Sequence, residues 1–178
     1  LLRSHVAPIT SLIALLRAGD AAFAMAMDDQ MTPDIMVERL GVTTFCCLLP
    51  NDHQLVDQDT VSFTDLQAET VISYRSPTRP RVELDKAARA QGLDFSAQLE
   101  IEVSISAVGF VQAGLGVAVV DALMPWHQFQ GVTSRPLKDS PKLPLSLLTL
   151  TGKTLSRAEE GMRDEIRKLC AERLPSKS

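Results

Sequence analysis

A segment of seven residues between a predicted strand and a predicted helix carries the side chains best suited to hold an anion. It has the sequence RSPTRPR, from Arg75 to Arg81, and combines three arginines with the hydroxyl groups of Ser76 and Thr78. The N–H groups and the dipole at a helix N-terminus attract negative charge. The segment therefore predicts one of two things: a turn that faces an anionic ligand, or a helix N-terminus whose hydroxyl groups only cap it.

A second pair of hydroxyl groups follows a later predicted strand. Ser104 and Ser106, with Ile105 between them, precede the helical pattern that ends at Gly114. Ligands of open α/β sheets gather outside the carboxyl ends of the strands. Two such helix N-termini in one small sheet favour a ligand site over two isolated caps.

Other site chemistries find no support in the pattern. His5, His53 and His127 are far apart, and each is expected to be a surface or hydrogen-bonded histidine rather than a metal ligand. There is no G-x-S-x-G nucleophile elbow, and the glycines of AGLG do not form a G-x-G-x-x-G dinucleotide fingerprint. We therefore expect no metal, no cofactor and no enzymatic activity.

Composition and charge exclude several classes of protein. The chain has 178 residues, 45% of them hydrophobic, and a net charge of -4. This predicts one domain or two small lobes, without the basic surface that contact with nucleic acid requires.

No apolar run is long enough to span a membrane, and the first residues lack the order of a signal peptide. Three cysteines, two of them adjacent, fit a reducing cytoplasm better than a disulfide framework.

Predicted strands and helices alternate along the chain, which favours parallel sheets with helices on both faces. A short helix is predicted after Ser62 or Thr64. The longer helices are predicted at residues 9–18, 80–91, 106–114 and 154–174, and the strands at 21–27, 43–50, 70–74, 99–104, 115–120 and 143–150.

Four motifs resemble LysR-type transcriptional regulators, in the order and spacing of that family. LLRAGDAAFAMAM is similar to its L-x-x-G-x-L-D-L-A-I, and FCCLLPNDHQL is similar to its strand and P-x-x-H-P-L segment. ISYRS followed by a helix comes next, and FVQAGLGVAVVDALMP is close to lVaaGlGvalvPa. Asp121 departs from the common proline, and regulators of lysine biosynthesis and opine catabolism look closer there, since they carry Asn or Asp. The resemblance covers essentially the whole chain.

The resemblance implies a fold similar to type II periplasmic binding proteins. In this α/β fold two Rossmann-like lobes are joined by two crossing strands, here near Cys47–Pro50 and Leu143–Leu147. Lobe I would comprise residues 1–47 and 145–178 and would lack the family's first strand and helix. Lobe II would comprise residues 48–144, and the DNA-binding helix-turn-helix would lie outside this chain.

The resemblance also implies an effector site between the lobes. Ser76 and Thr78 would hold a ligand carboxylate, and Arg81 would add positive charge. Asp121 would pair with an ammonium or guanidinium group, or else serve only as a hydrogen-bonded turn residue. An amino acid or a derivative would suit such a site. The implied ligand-binding residues are Met27, Asp28, Ser76, Thr78, Arg81, Ser104, Ile105, Ser106 and Asp121.

The implied function is that of a cytoplasmic effector-binding regulatory domain. The full-length protein would form a homodimer or homotetramer, bind a small-molecule effector, and reach DNA only through its N-terminal domain, with no membrane contact. The helix at about 80–91 would pack against lobe I of the partner. Alternatives are a free-standing solute-binding protein, which would carry an export signal, a small α/β enzyme, and a structural domain without a ligand.

Overall fold

The computed structural model describes residues 3–174, which form two compact units. We call Thr44–Lys142 the central unit. The terminal unit consists of the described residues up to Thr43 and from Leu143 onward. The lobe boundaries that the resemblance implies stay a prediction. Within residues 3–174 no helix is long and apolar enough to cross a bilayer.

Eight strands and four α-helices make up the described chain. Short 3₁₀ turns lie at Gln54–Asp57, Asp65–Ala68, Ser104–Ser106 and Trp126–Gln128. In chain order the elements are α1 (Ile9–Ala18), β1 (Ala24–Ala26), β2 (Ile35–Thr43), β3 (Phe45–Pro50), β4 (Val71–Tyr74), α2 (Arg79–Ala90), β5 (Leu99–Ile101), α3 (Ala107–Gln112), β6 (Val117–Asp121), β7 (Val132–Pro136), β8 (Leu143–Leu150) and α4 (Arg157–Arg173).

The terminal unit is built on a three-stranded antiparallel sheet in the order β1-β8-β2. Its apolar core lies between this sheet and α1, where Leu16 and Leu148 are fully buried. Helix α4 begins with a capping box, since Ser156 Oγ accepts the Glu159 N–H and the Glu159 carboxylate accepts the Ser156 N–H. The bidentate pair of Arg167 with Glu38 ties α4 to β2.

The central unit contains a five-stranded mixed sheet in the order β5-β4-β6-β3-β7. Strand β4 pairs in parallel with β5 and β6, whereas β3 is antiparallel to both β6 and β7. The expectation of parallel sheets is therefore wrong for the pairings of β3 with β6 and β7 and for the entire terminal sheet. Strands β3 and β6 are buried along almost their whole length, as their continuous apolar runs predict.

Helix α2 forms because its apolar side chains recur on one face. Leu84 and Ala88 are fully buried, and Pro80 occupies the first turn, where its missing N–H costs no intrahelical hydrogen bond. Thr78 is the N-cap residue, and Gly92, with φ at +73°, lies just beyond the end. Four residues therefore separate the end of β4 from the start of α2, which fixes the position of the predicted binding turn.

Two glycines connect α3 to β6. Gly114 has φ at +70° and ends the helix, while Gly116 has φ at +146° and lies against the backbone of Thr70. Val117 N donates to Thr70 O at 2.9 Å, so this close approach brings β6 alongside β4. The sequence prediction of a helix stop followed by a strand start is confirmed.

Candidate functional site

The carboxyl ends of three neighbouring strands share one edge of the central sheet. Tyr74, the last residue of β4, pairs with Ile101, the last residue of β5. Strand β6 is parallel to β4 on the other side and ends at Asp121. The structure therefore brings six predicted site residues to the same sheet edge: Ser76, Thr78, Ser104, Ile105, Ser106 and Asp121. We call this edge the carboxyl edge.

Met27 and Asp28 belong to the terminal unit, directly after β1. The Asp28 carboxylate accepts the N–H groups of Asp29 and Gln30 at 2.8 and 3.0 Å, which closes a local turn. Their participation in a common site with residues of the central unit stays a prediction.

The turn before α2 is held by two hydrogen bonds to one carbonyl group. Both the N–H and the hydroxyl of Thr78 donate to Arg75 O, at 3.0 and 2.7 Å. Ser76 is exposed, and its peptide bond with Pro77 is cis. Although Thr78 is the N-cap residue, its side chain makes no capping hydrogen bond to the first turn of α2. Capping by the threonine side chain therefore does not explain this turn.

Each arginine of the turn faces a carboxylate of the central unit. Three ion pairs result: Arg75 with Glu102 at 3.3 Å, Arg79 with Glu83 at 3.0 Å, and Arg81 with Asp85 at 2.7 Å. The positive charge that the sequence concentrates here is thus locally compensated. The three guanidinium groups are therefore already engaged with carboxylates of the chain.

Arg81 is buried and faces the protein interior. Its guanidinium donates to Tyr74 O at 3.3 Å and to Phe95 O at 3.2 Å, and it lies over the Phe95 ring. Together with the bond to Asp85, these contacts fasten the start of α2 to the end of β4. These contacts indicate a structural role for Arg81. The direct contact with an effector that the resemblance implies stays a prediction, and the contacts do not favour it.

The second group of hydroxyls lies on the 3₁₀ turn that precedes α3. Ser106 Oγ donates to Val103 O at 2.7 Å and does not cap α3. The Ser104 hydroxyl interacts with the phenol of Tyr74, and Ile105 is 39% exposed. The exposed residues of this segment thus include one apolar side chain, Ile105, and one polar side chain, Ser106.

Asp121 is buried, and both of its carboxylate oxygens have partners inside the central unit. Oδ2 accepts the Tyr74 hydroxyl at 2.6 Å, and Oδ1 accepts the Leu123 N–H at 3.0 Å. Its backbone carbonyl also accepts the Trp126 indole N–H at 2.7 Å. These contacts fit the alternative role of Asp121, a hydrogen-bonded turn residue, better than they fit a carboxylate that pairs with a ligand ammonium.

Tyr74 and Trp126 are the residues of this edge that sequence reasoning missed. The chain has one tyrosine and one tryptophan, and both are buried with their polar atoms bonded to Asp121. A buried Tyr or Trp needs a hydrogen-bond partner, so a tyrosine at the end of an apolar strand was the available signal. Its partner could not be named from the sequence, because the two residues are far apart along the chain.

The pKa of Tyr74 is raised well above its usual value of 10.0 by burial, and further by the charge of Asp121 and the bond to it. The folded state thus favours the protonated phenol. This contribution to stability is complete below pH 10.0 and is lost as the pH rises above it, by about 1.4 kcal/mol per pH unit until the folded-state pKa is reached. The buried thiols of Cys46 and Cys47, whose pKa values are also raised, add a loss of the same sign.

We expect Tyr74→Phe to show a shallower alkaline loss of unfolding free energy than the unchanged chain. Urea titrations at pH values from 8 upward, followed by Trp126 fluorescence, measure both slopes, and the two thiols contribute equally to each. At neutral pH the variant should be less stable by about 2 kcal/mol, because the Asp121 carboxylate loses a donor. Identical alkaline slopes would contradict the assignment of a raised pKa to Tyr74.

Among residues 3–174 no group of three or more His, Cys, Asp or Glu side chains is arranged to hold a metal ion. His53 is hydrogen-bonded, as predicted: its Nδ1 accepts the Leu55 N–H, and its Nε2 lies 3.2 Å from Glu69 Oε2. Cys46, Cys47 and Cys170 are buried free thiols.

Comparison with known proteins identifies the family. The model of the LysR substrate binding domain matches residues 2–171. The chain belongs to the LysR family. Proteins of this family are transcriptional regulators that bind small-molecule effectors and DNA. The predicted family is therefore confirmed, and the alternative of a free-standing solute-binding protein is not favoured.

Two curated relatives illustrate how far the similarity of this LysR domain extends. It is 30% identical to the regulatory protein NocR of Agrobacterium tumefaciens (strain T37) over 50% of this chain and 30% of NocR. It is 25% identical to the uncharacterized HTH-type transcriptional regulator YfeR of Shigella flexneri, over 92% of this chain and 53% of YfeR. The chain thus spans between about a third and about half of these relatives.

Solved structures of similar shape confirm the fold of the LysR domain. The effector binding domain of QuiR in complex with shikimate matches 94% of this chain and 80% of its own, with a TM-score of 0.77 and 15% identity. HinK, a LysR family regulator from Pseudomonas aeruginosa, matches 94% of this chain and 59% of its own, with a TM-score of 0.78 and 20% identity. The predicted two-lobed α/β fold of the periplasmic-binding-protein type is confirmed.

Proposed function

We propose that this LysR domain binds a small carboxylate-bearing effector at the carboxyl edge of the central unit and relays binding to a DNA-binding domain outside the chain. The N–H groups at the start of α2 would receive the carboxylate, with Ser76 and Thr78 beside it. Ser104, Ile105 and Ser106 would line the opposite side of the ligand.

One observation carries this proposal. Thr78 occupies the N-cap position of α2, where threonine usually accepts an N–H of the first turn, yet its side chain turns away and donates to Arg75 O. The first N–H groups of a helix have no partner within the helix. An anion that accepts them gains both hydrogen bonds and the favourable end of the helix dipole.

Ligands of structurally similar domains agree with an acidic effector. The QuiR domain was solved with shikimate, a carboxylic acid, and the CcmR regulatory domain was solved with 2-PG. Since the carboxylate of Asp121 already has two internal donors, we assign it the task of holding Tyr74 and Leu123 in place. Amino acids and their derivatives remain within the proposed class through their carboxylate group.

Regulation would follow from differential affinity. An effector that binds one conformation of the domain more tightly shifts the population toward it, and only that difference in affinity produces the shift. We propose that the full-length regulator is a cytoplasmic homodimer or homotetramer, in which this shift changes the placement of the DNA-binding domains. The chain would act by binding, without a catalytic step.

A carboxylate at the N-cap of α2 provides the sharpest test. Aspartate is a favoured N-cap residue, so we expect Thr78→Asp to keep or raise the thermal midpoint of the free domain. The same charge would repel an anionic effector, and the concentration-dependent rise of the midpoint with shikimate and other carboxylic acids should disappear. Thermal unfolding against a panel of acids measures both effects.

Thr64→Asp is the matched control. Thr64 is also an N-cap residue of the central unit without a side-chain capping bond, and it precedes the turn at Asp65–Ala68. This variant should retain the response to acids. A full response in Thr78→Asp would contradict the proposed position of the effector carboxylate.

A further inference from the structure

Two hydroxyl groups at the carboxyl edge donate their hydrogens to the protein itself. Thr78 Oγ1 lies 2.7 Å from Arg75 O, and Ser106 Oγ lies 2.7 Å from Val103 O. A carbonyl oxygen can only accept, so each hydroxyl hydrogen points back into its own turn. Because a hydroxyl has one hydrogen and two lone pairs, each of these oxygens offers an incoming molecule only acceptors.

The buried phenol of Tyr74 also donates its hydrogen within the protein. The Tyr74 hydroxyl donates to Asp121 Oδ2 at 2.6 Å, and its oxygen accepts the Asp121 N–H at 3.1 Å. Its single hydrogen is therefore also used inside the protein. Because the phenol oxygen also interacts with the Ser104 hydroxyl, Tyr74 offers a ligand neither a donor nor an acceptor. The hydroxyl oxygens of Thr78 and Ser106 keep acceptor capacity for a ligand at the carboxyl edge.

We infer that the effector is an acid that also carries hydrogen-bond donors, such as hydroxyl or ammonium groups, which the oxygens of Thr78 and Ser106 accept. This inference rests on the proposed function and specifies its ligand. The carboxylate takes the N–H groups of α2, and the donors of the same molecule satisfy the two oxygens. An acid without donors would cover these oxygens and leave them unpaired, which lowers its affinity by about ten-fold or more.

Matched pairs of acids test the inference on the 178-residue chain. One pair is shikimate and cyclohex-1-ene-1-carboxylate, which share the ring and the carboxylate but differ in hydroxyl groups. The other is 2-aminohexanoate and hexanoate, which differ in the ammonium group. Trp126 is the single tryptophan and is bonded to Asp121, so its fluorescence follows binding at this edge without a label. We expect the donor-bearing member of at least one pair to bind about ten-fold more tightly than its partner.

Variants at Thr78 distinguish the effect of its acceptor oxygen on ligand preference from the effect of its side-chain shape. Thr78→Val keeps the shape and removes the oxygen, so the preference for the donor-bearing acid should fall to less than about three-fold. Thr78→Ser keeps the oxygen and should keep the preference. Ser106→Ala gives a second, independent removal of an acceptor. Thr64→Val is the control outside the edge, at another N-cap residue whose side chain makes no capping hydrogen bond.

Two outcomes would overturn the inference in distinguishable ways. If both members of each pair bind with equal affinity and Thr78→Asp abolishes binding, the proposed effector site stands. The inference that the effector must carry hydrogen-bond donors is then wrong. If no acid of either pair binds at millimolar concentration, the inference fails together with the proposed carboxylate class.

Discussion

Gly116→Ala is expected to lower the free energy of unfolding by at least about 3 kcal/mol. A Cβ at this position would overlap with the carbonyl oxygen of Thr70, and the φ of +146° is one that side chains with a Cβ rarely adopt. The same carbonyl accepts the Val117 N–H at 2.9 Å. Neither backbone segment can move away without weakening the pairing of Val71 with Val117, where β4 and β6 begin.

Gly114→Ala is the control within the same motif. Gly114 also has a positive φ, +70°, but no atom lies within 4 Å of the position a Cβ would occupy. Only the cost of the left-handed conformation remains, about 1 kcal/mol. Urea unfolding followed by Trp126 fluorescence gives both values. Equal losses at the two glycines would show that contact with Thr70 is not the reason for the glycine at 116.

The helices and most strands could be predicted because their apolar residues recur at a regular period or form continuous runs. Strands β2 and β7 were missed for the opposite reason. The first, IMVERLGVT, exposes several residues of its N-terminal half, and the second, VTSRP, is only partly buried. The pairing direction could not be predicted from the alternation of elements, because it depends on which strands become neighbours.

The position of the candidate site could be predicted better than its contacts. Hydroxyl groups placed just after apolar strands indicated the carboxyl edge, and the structure brings those of Thr78 and Ser106 to the ends of neighbouring strands. Their hydrogen-bond directions depend on local turn geometry. The partner of Asp121 is 47 residues distant in sequence, and only the parallel pairing of β4 with β6 makes that contact evident.

Arg81→Met should lower the free energy of unfolding by about 3 kcal/mol, since it breaks a buried ion pair from one side. The Asp85 carboxylate would lose its 2.7 Å partner, and the carbonyl groups of Tyr74 and Phe95 would each lose a donor. Methionine still covers the Phe95 ring with an apolar side chain, so the loss reports mainly on the polar contacts. Chemical denaturation of the two chains measures the difference.

Arg89→Met on the same helix separates this effect from the general loss of an arginine. Arg89 is exposed and lies 3.8 Å from the same Asp85 carboxylate, so its replacement should change stability by less than about 0.5 kcal/mol. If Arg81→Met were instead as stable as the unchanged chain but no longer responded to carboxylic acids, the guanidinium would have to contact the effector directly. That result would restore the role implied by the resemblance, whereas a large loss of stability assigns Arg81 to fixing α2 against the end of β4.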